Sequence, residues 1–136
     1  MSDSVTPRLP FTTGQLAILI VSGWLFWFVG ALLCRVVGEM GWFDGTARIL
    51  LYAALVPGTV PVVLLARRLA KLADDQVALG IAIVTAAAIM LDGIALAWFP
   101  ALYGLGIAQT AASGAVILWG GFVAIALGCW FNRAQR

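Results

Sequence analysis

The stretch VALGIAIVTAAAIMLDGIALAWF, residues 77–99, decides how the rest of the chain is read, and Asp92 is its only charge. The run exceeds the ~20 apolar residues that a helix needs to cross a bilayer. A carboxylate this far inside it must find a partner, reach water or take up a proton. Acidic residues inside membrane spans are rare and usually face a bundle interior, which makes Asp92 the first candidate functional residue.

Working outward, three more apolar runs follow the same rule, at about 16–34, 47–66 and 112–131. The expectation is an all-α, integral membrane four-helix bundle, with residues 1–136 forming a single domain. Composition agrees: 63% of residues are hydrophobic and 10% are charged, against about 25% charged in soluble domains. The net charge of +2 gives no reason to expect nucleic acid as a partner. There is no histidine and there are two cysteines, so His-based proton shuttling, His-ligated haem and a structural zinc site drop out. No phosphate loop or nucleophile elbow is present. Neither a cofactor nor a metal is expected, and the lack of catalytic groups argues against an enzyme.

Lys and Arg divide unevenly between the two sides. Arg8, the loop residues Arg67, Arg68 and Lys71, and the C-terminal Arg133 and Arg136 fall on one side, and only Arg35 and Arg48 on the other. The positive-inside rule then puts both termini in the cytoplasm, N-in and C-in. The tail at residues 1–15 has one basic residue and no cleavage site of small residues, and reads as a short lead into an uncleaved first span. This topology sets Cys34 and Cys129 at opposite faces, ~30 Å apart, too far for a disulfide.

At 1.5 Å per residue from Val77, Asp92 lies about 22 Å into a ~30 Å core, in its outer half. Thr85 and Ala88 share its helical face. Arg35 ends the first span at that depth, and helical side chains lean toward the N-terminus, so an Arg35–Asp92 ion pair is expected, with Tyr52 as a second donor. The alternatives are a protonated Asp92 or one bonded to backbone alone. Pro57, Gly58 and Pro61 sit mid-span in the second run, where each proline removes a helical hydrogen bond and a kink is expected, with Thr59 at hand for a freed carbonyl. Gly120, Ala124 and Gly128 form a small-residue stripe on the fourth span, like Gly30, Cys34 and Gly38 on the first, and helices pack closely on such stripes. Trp98 and Tyr103 suit an interfacial anchor.

The segment AIMLDGIALAWFPALY at 88–103, with Pro57, Gly58 and Thr59 before it, resembles a family of small bacterial four-span inner-membrane proteins classed as a domain of unknown function. The resemblance implies a four-helix fold in the bacterial inner membrane and no activity. Two functions compete. One is an accessory or structural subunit of a larger, energy-transducing membrane complex, with lipid and other membrane subunits (or further copies of itself) as partners. The other is a small proton-coupled transporter or channel using Asp92.

Overall fold

A computed structural model describes residues 8–133. Pro7 of the N-terminal tail and Arg136 of the basic count lie outside the described residues. Four helices follow in order: α1 (Thr13–Glu39), α2 (Gly45–Leu69), α3 (Val77–Trp98) and α4 (Ile107–Phe131), with a 3₁₀ turn at Pro100–Tyr103 before α4. Each helix is long and apolar enough to cross a membrane. The all-α, four-helix expectation is met among the described residues.

Several helices outrun their apolar segments because polar groups finish their ends. Thr12 and Gln15 form a capping box at the start of α1: the Gln15 N–H donates to Thr12 Oγ1, and the Thr12 N–H to Gln15 Oε1, each at 3.1 Å. At the far end of α1 the Trp42 N–H reaches Val37 O and the Gly41 N–H reaches Gly38 O. This Schellman closure needs a left-handed residue, which Gly41 provides at φ +78°. α2 closes the same way, through Leu72 to Arg67 O and Lys71 to Arg68 O, but there Lys71 occupies the left-handed position at φ +49°.

The start of α1, the residues just after α4 and the α2–α3 loop are tied together at one end of the bundle. Gln15 Nε2 donates to Ala70 O (3.1 Å) and Lys71 O (3.3 Å). The Ala78 N–H, in the first turn of α3, donates to Asn132 Oδ1 at 2.9 Å. The Arg133 N–H donates to Asp74 O at 2.8 Å, and Arg67 pairs with Asp74.

α3 is the centre of the bundle, packed between α1 and α4, while α2 leans mainly on α4 and barely meets α1. Small residues set these approaches. A Cβ on Gly23 of α1 would stand 2.5 Å from Val84 O and 2.8 Å from the Ala87 Cβ, so α1 lies directly on the α3 backbone there. On α4 a Cβ at Gly128 would stand 2.9 Å from the Ile81 Cβ. The expected stripes are therefore corrected. On α4 the contact face includes Gly121 and Gly128, and Ala124 packs against the core, whereas Gly120 meets nothing within 4 Å. On α1, Gly30 likewise faces open space, and Gly23 makes the close approach.

The Pro57–Pro61 stretch, where a kink is expected, lies inside α2. The α2 helix runs through both prolines without a break. Pro57, Gly58 and Pro61 are exposed on its outer surface, away from the bundle. The carbonyls left without an N–H donor are those of Ala53 and Pro57, yet Thr59 Oγ1 donates to Leu55 O at 2.6 Å, a carbonyl that already has a helical partner. Of this stretch, Thr59 is the residue that reaches the interior cavity.

Candidate functional site

The buried residues form two separate cores. One, at the end where α1 begins and α4 ends, gathers Leu19, Val63, Ala66, Val77, Ile81 and Val84. The other, toward the opposite end, gathers Ala31, Cys34, Phe43, Ala95, Tyr103 and Val116. Between them, at the waist of the bundle, lies a cavity of about 330 Å³ to which all four helices contribute. Its walls are almost wholly apolar, with Phe26, Trp27 and Phe43 among them, and its polar lining comes from Cys34, Thr59, Thr85 and Asp92. Among the described residues no basic side chain lines it.

Asp92 is buried at 7% exposure, and its donor is not the expected one. The Tyr103 hydroxyl donates to Asp92 Oδ1 at 2.5 Å, and Trp27 Nε1 donates to the Tyr103 oxygen at 3.1 Å. Indole, phenol and carboxylate thus form a chain with every donor pointing toward the charge, an order in which each bond polarises the next. Burial, and after it the bond to the carboxylate, push the Tyr103 phenol above its ordinary pKa, so it keeps the proton that it donates.

The expected Arg35–Asp92 pair does not form. Arg35 Nε lies 3.1 Å from Glu39 Oε1, one turn along the same helix, and a terminal guanidinium nitrogen donates to Ala101 O at 3.3 Å. Both partners of the Arg35–Glu39 pair remain substantially exposed. Carrying the guanidinium to the already buried Asp92 would desolvate Arg35 and take it from Glu39, whereas a phenol satisfies the carboxyl group at lower cost. Tyr52 is also elsewhere, in the seam between α2 and α4. Its carbonyl accepts from Trp119 Nε1 at 3.0 Å, and the two rings lie 5.6 Å apart.

Tyr103 was expected at an interface and is instead fully buried. After α3 the 3₁₀ turn folds the chain back, so that a residue eleven positions downstream of Asp92 returns to it. Gln109 holds that fold in place: its Nε2 donates to Tyr103 O (3.1 Å) and Arg35 O (3.3 Å). Gly38 and Gly104 leave room for this amide, since a Cβ at either would stand 2.4 Å or 2.1 Å from Gln109 Nε2. Sequence reasoning missed Trp27, Gly23 and Gln109. The one readable signal is Gln109, the only amide in the uncharged stretch 100–114. Trp98, the other expected anchor, is 72% exposed.

The remaining sulfur and hydroxyl groups divide between cavity and core. Cys34 is buried on the cavity wall and Cys129 is exposed, both as free thiols. Ser113 of α4 is fully buried, and its hydroxyl has no hydrogen-bond partner among the described residues. The site therefore offers one carboxyl group, held by neutral donors, on the wall of a small apolar chamber. No family model, curated protein or solved structure matches this chain.

Proposed function

We propose that this chain is a multi-pass protein of the bacterial inner membrane with both termini in the cytoplasm, and that it works as a small proton-coupled transporter or channel whose operating group is Asp92. One observation carries this reading: the Asp92 carboxyl group lines a chamber of about 330 Å³ whose walls, among the described residues, hold no basic side chain. Such a carboxylate is neutralised by a proton or by a cation that enters the chamber, and it has room for one of these at a time. Mutual exclusion at a single group is the elementary basis of coupled exchange. The titratable groups facing Asp92 are Tyr103 and Cys34, and neither is a base that would compete for its charge.

The accessory-subunit reading loses one of its sequence supports. Of the stripe glycines, which would have received a partner helix, Gly128 meets α3 and Gly38 meets Gln109 of this chain, while Gly30 and Gly120 open on the chamber.

Orientation is tested by a reporter active only in the cytoplasm, fused after Arg136, which is expected to be active; activity of a periplasm-specific reporter there overturns the topology. Coupling is tested in vesicles holding the purified protein and an internal pH dye. An imposed pH gradient is expected to collapse faster with the parent protein than with Asp92→Asn. Equal rates overturn the proton-coupled reading.

A further inference from the structure

We propose that the ligand of the waist chamber is a small monovalent organic cation with an apolar body, which reaches Asp92 sideways between α1 and α2. This rests on the reading of Asp92 above and adds the class of ligand and its route.

The charge of the ligand follows from the lining. Among the described residues Asp92 is the only acidic side chain on walls that are otherwise apolar, aromatic, hydroxyl or thiol, and its hydrogen-bond donors, Tyr103 and, through it, Trp27, are neutral. An anion would meet a carboxylate with no compensating base. A neutral apolar molecule would leave that carboxylate facing hydrocarbon. A hard, strongly hydrated ion such as sodium would need several oxygen ligands, and the chamber brings together one carboxylate and two threonine hydroxyls. An organic cation needs only the one charge. Its apolar body is matched by Phe26, Trp27 and Phe43, whose ring faces attract a cationic group.

Size follows from volume. At about 330 Å³ the chamber stands at the lower end of the ~300–1,000 Å³ seen for small-molecule sites, which leaves space for a single compact ligand.

The route follows from packing. α1 and α2 barely touch, and the chamber reaches the outer surface beside Leu33 of α1 and Val62 of α2, which are 57% and 38% exposed. Gly30 on the α1 wall meets nothing within 4 Å. This gap opens on the apolar flank of the bundle, so the ligand must dissolve in apolar surroundings before it reaches the carboxylate. That requirement selects lipophilic amines and quaternary ammonium compounds over polar cations.

The test uses the full chain in lipid nanodiscs, with binding counted above that of empty discs. The probes are benzyltrimethylammonium and its uncharged isostere neopentylbenzene, in which carbon replaces the quaternary nitrogen. The cation is expected to bind and the isostere to bind roughly tenfold more weakly or not at all. Asp92→Asn is expected to lose the preference for the cation. Because that variant also disturbs a buried hydrogen bond, Gly120→Leu provides a second arm. Its added side chain starts in open space and projects into the chamber, so it is expected to melt like the parent yet lose the cation.

Equal binding of both probes overturns the assignment of charge, and undiminished binding to Gly120→Leu overturns the assignment of place. Either result beside an Asp92-dependent proton flux in vesicles leaves the transport reading standing and removes this one. Cation binding without such a flux does the reverse.

Discussion

Helices α2 and α3 are about equally apolar, yet 39% of the most apolar window of α3 is buried in the bundle, against 11% for α2. Hydrophobic content therefore marks both as able to cross a membrane and says nothing of which one the bundle is built on. The difference lies in what each turns inward. Thr85 and Ala87 are buried on α3, where Gly121 of α4 and Gly23 of α1 come close, while Val63 and Ala66 alone are buried on α2. Between lipid and a neighbouring helix there is little hydrophobic preference, so close packing decides position, and close packing requires small residues at matching heights. The looseness of α2 leaves the chamber open beside Asp92.

Breaking the tight side of this comparison is expected to have the largest effect. Gly23→Leu places carbon against the α3 backbone at Val84 and Ala87, where a flexible side chain cannot yield. A loss of about 3 kcal/mol or more is expected in detergent unfolding. Gly58→Leu on the outer face of α2, where an added Cβ meets nothing within 4 Å, is expected to stay within about 0.5 kcal/mol of the parent. Equal losses for the two would mean that α3 is not the packing centre.

Tyr103→Phe comes next. It deprives the buried carboxylate of its donor, and the Trp27 indole of its acceptor, with an expected cost of about 1–3 kcal/mol. A double-mutant cycle with Asp92→Asn should show coupling between the two positions. In contrast, Arg35→Gln combined with Asp92→Asn is expected to be additive within about 0.5 kcal/mol, because Arg35 pairs with Glu39. Strong coupling of Arg35 with Asp92 would restore the ion pair read from the sequence.

Gly128→Leu and Gly120→Leu sharpen the comparison within a single helix. The first collides with Ile81 of α3 and is expected to cost about 1–3 kcal/mol, while the second enters the chamber and leaves the melting temperature unchanged. Similar melting of both variants would mean that α4 meets α3 through another face. The smallest expected effect is that of Ser113→Ala. It removes a buried hydroxyl without a partner and should be neutral or stabilise by up to about 1 kcal/mol, read from the same melts. A clear loss would point to a hydrogen bond that Ser113 makes in the membrane.

By itself the sequence determined the number of helices, their approximate limits, their capacity to cross a bilayer, and Asp92 as the charge that needs explaining. These properties depend on apolar length and on spacing within one helix, and such interactions reach about a turn along the chain. Thr85 and Ala88, placed with Asp92 on one face by that spacing, do line the chamber with it. The tertiary structure alone decided which groups meet the carboxylate and which glycines bring helices together. Tyr103 reaches Asp92 because a 3₁₀ turn, locked by Gln109 between Gly38 and Gly104, folds back into the bundle. Arg35 stays with Glu39 because the exposed pair avoids desolvating the guanidinium. Gly23 and Gly128 bear on α3 while Gly30 and Gly120 do not, and residue type cannot separate them. The rotation and crossing of each helix set which side of a stripe faces a neighbour, and those are properties of the packed bundle rather than of any one span.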